Sequence, residues 1–132
     1  MLTRTLALPF AMAAAGLALP AAAQAADPGE TAYNIRCKAC HTVAPGGASG
    51  PVGPNLRGVV GRKAAGGNFK NYSPGLKAAP ITWNAASLDK FLTAPTKVVP
   101  GTRMVMAASH GDQRKGLIAR VGQHGRAPPQ KN

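Results

Sequence analysis

Residues 37–41 read CKACH, and they hold both cysteines of this 132-residue chain. Two thiols three positions apart, with a histidine directly behind them, restrict what the chain can become. Such a pair serves as a redox dithiol, as half of a metal site, as a disulfide, or as a covalent attachment point. A dithiol oxidoreductase carries its CxxC in a βαβ setting, and no strand pattern precedes Cys37. Structural zinc needs two more ligands. His41, His110 and His124 are the remaining histidines, and their spacings match no zinc pattern. A disulfide across so short a loop constrains little of the unfolded chain and could not by itself hold up a domain.

The attachment of a c-type haem remains, and C-x-x-C-H is its motif. In this reading Cys37 and Cys40 bond two vinyl groups on one edge of the porphyrin. His41 then turns its imidazole to the iron. The rest of the chain agrees with a large apolar cofactor, because its own core is poor. Beyond Phe10 near the N-terminus, the aromatics are Tyr33, Phe69, Tyr72, Trp83 and Phe91, and much of the apolar content is alanine. A domain of this size buries a low fraction of its surface and is marginal without help.

The first residues stand apart. Arg4 precedes an uncharged run of Leu, Ala, Phe and Met, followed by AAAQA with Ala23 and Ala25 as the small residues of a cleavage site. This is the layout of a secretory signal peptide. An uncleaved anchor is the alternative, but Pro9, Gly16 and Pro20 break a stretch already short for a membrane span. The expected organisation is a signal peptide over residues 1–25 and one domain over residues 26–132, with a frayed tail. Export to a bacterial periplasm follows from that layout.

Three helices are expected. ADPGETAYNIRCKACH reads as the first, with Asp27 as N-cap, Pro28 at the first helical position and Glu30 in the first turn. Its residues Tyr33, Cys37 and Cys40 share a face at helical spacing. NAASLDKFLTAP is the second, capped by Asn84. Leu88, Phe91, Leu92 and Pro95 follow a 3.6-residue period, and Pro95 ends the helix. SHGDQRKGLIARVGQHG is the third, with Ser109 and Asp112 as a capping pattern and Gly122 as a stop. Gly116 weakens it, so it must lean on packing. Residues 44–68 hold eight glycines and three prolines. That density of breakers leaves either an ordered loop wrapped over something or disorder. The class is small, all-α and loop-rich.

Haem iron wants a sixth ligand or leaves a position open. A thioether suits an electron-carrier site. Outside the leader the methionines are Met104 and Met106. The segment VVPGTRM favours Met104, because Pro100 and Gly101 form a turn that holds an extended strap against the haem. His110 and His124 are the rival ligands.

At this point the sequence resembles a class I cytochrome c, of the mitochondrial type or a short bacterial electron carrier. The resemblance rests on CKACHTV, GPNLRGVVGRK, ITW, LDKFLTAP, PGTRM and LIA in order, from Gly29 to about Val121. It implies a cytochrome c fold of three main helices around one covalent haem c, with His41 and Met104 as the iron ligands. It also implies that Gly29 and Tyr33 pack the first helix against the last near Leu117 and Ile118. The Pro54 carbonyl would accept a bond from the His41 ring. Arg62, Tyr72 and Trp83 would donate to a buried haem propionate, with Thr102 beside it. The sequence departs from the family at four positions. Phe91 stands where a tyrosine is common, Leu76 where a polar residue is common, and Met106 and Arg120 where aromatics are common. The first two dry the pocket.

With both axial positions filled, the resemblance implies outer-sphere electron transfer and no catalysis. The rivals are a haem subunit of a larger oxidoreductase, and a small peroxidase or gas sensor with a displaceable methionine. Sixteen Lys and Arg against four Asp and Glu make the chain strongly basic. Export argues against nucleic acid, and the basic residues are scattered singly. The charge reads as a field that steers acidic redox partners, whether respiratory or photosynthetic complexes or a periplasmic dehydrogenase. A monomer is expected, without stable membrane insertion once the leader is gone.

Overall fold

The computed structural model describes residues 27–123. The signal peptide expected over residues 1–25, the rival ligand His124 and the tail lie outside the described residues.

Helix α1 spans Pro28–Arg36 and starts where its sequence dictates. The Asp27 carboxylate accepts the Gly29 amide at 2.8 Å, and Pro28 occupies the first turn, where no amide partner is needed. The helix is shorter than its sequence suggests. The Cys37 carbonyl accepts from both the Cys40 and the His41 amides, at 3.0 and 2.8 Å, and this tightens residues 37–40 into a turn.

Helix α2 (Pro74–Ala78), absent from the sequence reading, is a single short piece capped by Ser73, whose hydroxyl accepts the Leu76 amide. Helix α3 (Ala85–Thr93) begins with a reciprocal cap. Asn84 Oδ1 accepts the Ser87 amide, and Ser87 Oγ accepts the Asn84 amide, both at 2.8 Å. Pro95 does end α3, and it also opens helix α4 (Pro95–Val98), where its missing N–H costs nothing. Helix α5 runs over Gly111–Gln123. Gly122 lies inside it, so the expected stop there is incorrect. Among the described residues the only β-type pairings are two isolated bridges, Thr42 with Asn55 and Lys63 with Thr82.

Helices α1 and α5 cross where both present glycine. A Cβ built on Gly29 would lie 2.2 Å from the Gly116 carbonyl oxygen, and one on Gly116 would lie 2.8 Å from the Gly29 nitrogen. Gly116, a weak point for the isolated helix, is the place where the two backbones meet. One side of this crossing buries Ala32, Tyr33, Ala108 and Leu117 together. Arg120 adds its guanidinium over the Tyr33 ring, 5.4 Å from the centroid, and reaches Glu30 at 3.6 Å. A second cluster joins Val59, Trp83, Leu88, Phe91, Val99 and Val121, with Ile118 and Met104 against it. Val99, just after α4, is the most buried large side chain at 2% exposure.

Residues 44–68 form an ordered loop, the first of the two expected alternatives. Its backbone is tied to the elements around it: Gly53 N–H to Cys40 O, Leu56 N–H to Thr42 O, Gly61 N–H to Trp83 O and Ala64 N–H to Ile81 O, all between 2.7 and 2.9 Å. Asn55, only 4% exposed, bonds the Ala44 and Ala48 carbonyls through its amide nitrogen and the Arg57 amide through its oxygen. Buried backbone groups must find partners, and in a segment without helix or sheet one buried asparagine supplies three of them.

Candidate haem site

The turn after α1 and the long loop meet at His41. Its Nδ1 lies 2.8 Å from the Pro54 carbonyl oxygen. A carbonyl only accepts, so Nδ1 carries the proton and Nε2 keeps the free lone pair. This bond fixes the ring and its tautomer, as the hydrogen-bond partners of metal-binding imidazoles do. Burial pushes the His41 pKa below its usual value, partly opposed by the Pro54 bond. The ring is therefore held neutral, the form a metal needs.

Gly53 is required by the same geometry, and the sequence reading missed it. A Cβ there would sit 2.3 Å from His41 Cε1 and 2.6 Å from Nδ1. The glycine sits inside GPVGP, where it looks like one more breaker. The Tyr33 hydroxyl donates to the His41 carbonyl at 3.0 Å, locking the peptide that carries the ring. Burial raises the Tyr33 hydroxyl above its ordinary pKa, so it stays a donor; Cys37 adds to the rise and Arg120 opposes it. The Cys37 thiol is also pushed up, chiefly by burial.

Cys37, Cys40, His41 and Met104 line one cavity of about 370 Å³. Its remaining walls are mainly apolar and include Leu56, Val59, Phe91, Leu92, Leu117, Ile118 and Val121. The volume falls in the range of roughly 300–1,000 Å³ typical of cofactor pockets. Leu76 and Phe91, two of the departures from the family pattern, are in the wall and bring no polar group to it. The expected weak core is thus a shell around a space.

Met104 comes from the strap after α4. Gly101 turns with φ of 79°, and a Cβ on Gly75 would lie 2.2 Å from the Pro100 carbonyl oxygen, so α2 and the strap touch through glycine. Thr102 is buried, and its hydroxyl accepts the Met104 amide at 3.2 Å. It is absent from the cavity wall, so its visible role is to aim the strap. The far end of the strap is fixed by Ala108 N–H to Leu92 O at 2.7 Å and by Arg114, which donates to the Ala108 and Ser109 carbonyls and pairs with Asp89 at 2.8 Å. His110 is exposed and does not line the cavity. Met106 does line it.

Three polar side chains expected at a propionate also reach the cavity: Arg62, Tyr72 and Trp83. Arg62 spends one donor on the Asn55 carbonyl at 2.8 Å. The Tyr72 oxygen accepts the Gly67 amide at 3.2 Å, which leaves its own O–H to donate elsewhere. Trp83 is held by backbone bonds to Gly61 and Arg62 and packs on Phe91, with ring centroids 5.0 Å apart. A carboxylate taken into such an apolar space needs donors of this kind.

An all-helical shell with two thiols, a tautomer-fixed imidazole and a thioether on one apolar cavity defines a protein built around a covalently attached haem. The residues present fit that group. The Cys37 and Cys40 thiols would hold its vinyl carbons, and the His41 nitrogen and Met104 sulfur would hold its iron, which supplies a one-electron couple.

Comparison with known proteins gives the same class. The Cytochrome c family model matches residues 26–106. The chain is similar to cytochrome c2 of Rhodomicrobium vannielii, at 44% identity over 90% of this chain and 98% of the relative. It is also similar to cytochrome c-554 of Methylosinus trichosporium, at 42% identity over 86% of this chain and 83% of that protein. Among solved structures, cytochrome cH from Methylobacterium extorquens superposes with a TM-score of 0.65 at 39% identity, covering 73% of this chain and 95% of that one. The chain belongs to the cytochrome c family, and its cofactor is haem c.

Proposed function

We propose that this chain is a periplasmic carrier that passes single electrons between protein partners and turns over no substrate of its own. The observation that carries the reading is the shared cavity of Cys37, Cys40, His41 and Met104. When bound, the haem supplies a one-electron iron couple. The protein's part is to attach it through Cys37 and Cys40, to ligate it from His41 and Met104, and to keep water from it. Pro54 holds the His41 ring. Arg62, Tyr72 and Trp83 donate to a propionate, and Thr102 positions the strap.

Electrons enter and leave at the mouth of the cavity near the cysteines. Val52 and Val105 are exposed in its wall, and the basic residues Arg36, Lys63 and Arg103 line the same cavity. An apolar rim within a basic surface suits a brief encounter with an acidic redox protein. No helix among the described residues is long and apolar enough to cross a membrane. Export rests on the leader layout of residues 1–25, and the carrier acts as a monomer.

Stopped-flow electron exchange with an acidic redox protein tests the reading. The rate should be high at low salt and fall steeply as salt rises. A rate indifferent to salt, or steady turnover of peroxide by the carrier alone, would contradict it.

A further inference from the structure

The two methionines of the strap differ in exposure. Met104 is half-buried and packs against the cluster of Trp83, Leu88 and Phe91. Met106, two residues on, lines the same cavity and yet is 51% exposed. Its neighbour Val105 is 74% exposed. The stretch between the anchors at Met104 N–H and Ala108 N–H has neither helix nor strand. Part of the exposed Met106 surface faces the cavity itself, so the thioether sits at the boundary where cavity and solvent meet.

We infer that Met106 is an oxidation-sensitive modification site that sets the redox poise of the carrier. The co-reactant is hydrogen peroxide. The thioether sulfur attacks one peroxide oxygen and the O–O bond breaks. A new S–O bond forms, water leaves, and sulfur is oxidised by two electrons to the sulfoxide. Met104 is spared by its packing and, in the loaded protein, by the commitment of its sulfur lone pair to iron. The product replaces an apolar group at the cavity mouth by a strongly polar one. A more polar surround favours the more highly charged ferric state, so the midpoint potential falls. Methionine sulfoxide reductases reverse the change, and the exposure of residues 105 and 106 leaves them accessible to such an enzyme.

The inference rests on Met104 being the iron ligand, and the experiment separates the two claims. The untreated holoprotein and a Met104→Ala variant are first compared for the methionine–iron absorption band, which the variant should lack if Met104 is the ligand. The holoprotein is then treated with graded hydrogen peroxide and mapped by peptide mass spectrometry, with the potential measured at each step. Met106 should convert fully while Met104 stays reduced and the band persists. The midpoint potential should shift downward, and sulfoxide reductase should restore it. Met106→Leu should show no such shift at the same doses. Oxidation of Met104 before or alongside Met106 would overturn the inference. So would full conversion of Met106 with no change in potential, or an equal shift in the Met106→Leu protein.

Discussion

Gly29 and Gly116 meet backbone to backbone, so that a single added methyl on Gly29 would stand 2.2 Å from the Gly116 carbonyl oxygen. This contact sets the crossing of α1 and α5, and the crossing sets the cavity. Helix α1 delivers the thiol turn, while α5 contributes Leu117, Ile118 and Val121 to the wall. Gly29→Ala should therefore cost about 1–3 kcal/mol, the range for overpacking. Gly116→Ala should also destabilise, even though alanine gains about 1 kcal/mol of helix propensity there. Denaturant midpoints of the holoproteins check both. A Gly116→Ala protein at least as stable as the parent would show that the helices slide freely.

Gly53 keeps the space into which the His41 ring fits. Gly53→Ala should push the ring off the Pro54 carbonyl and loosen the iron bond. The expected readout is a lower haem content on expression and a weakened spectrum in what survives.

The buried, neutral state of His41 makes stability depend on pH with a defined sign. Its pKa is lowered in the folded protein, so between that depressed value and about 6.5 the unfolded chain binds a proton that the folded chain refuses. Stability from this residue is complete above about pH 6.5 and declines as pH falls through the window. Ligation to iron has the same sign, because only the neutral ring binds metal. Guanidinium midpoints of the holoprotein should fall between pH 7.5 and 5. A flat profile there would contradict the assignment.

Arg114 closes the strap by joining Asp89 of α3 to two carbonyls at the strap's end. The side chain is largely buried, while Asp89 is partly open to water, so most of the effect lies in the carbonyl bonds. Arg114→Ala should cost about 1–3 kcal/mol. It should also let an added ligand such as imidazole displace Met104 faster. Arg114→Lys should recover only part of this, since an ammonium cannot span the carboxylate and two carbonyls as a fork does.

The chemistry was more legible in the sequence than the scaffold that aims it. Cys37, Cys40, His41 and Met104 are named by local spacing and by the turn at Pro100–Gly101, and the cavity brings them together. Asp27 and Asn84 announced their helices because a cap is a local hydrogen bond. The positions whose surroundings the sequence leaves hidden depend on distant partners. Gly116 looks like a defect until Gly29 is seen against it, and Gly122 looks like a stop until α5 is followed past it. Ser73–Pro74 carried a readable cap for α2, but five residues give no periodicity to find.

Changing either attachment residue should break the covalent link. Cys37→Ala and Cys40→Ala should each leave a haem joined by at most one thioether bond, shown by an altered alkaline pyridine spectrum and a low yield. Normal haem content and a normal spectrum in both would refute attachment at these residues.

The absorption spectrum of the native holoprotein, oxidised and then reduced, bears most directly on the central claim that one covalent haem sits between His41 and Met104. The reduced protein should show the sharp bands of a c-type haem. The oxidised protein should show the weak near-infrared band of methionine sulfur on ferric iron, and Met104→Ala should abolish that band. An oxidised parent protein without the band, or a Met104→Ala protein that keeps it, would contradict the assignment of Met104 and the closed-site account built on it.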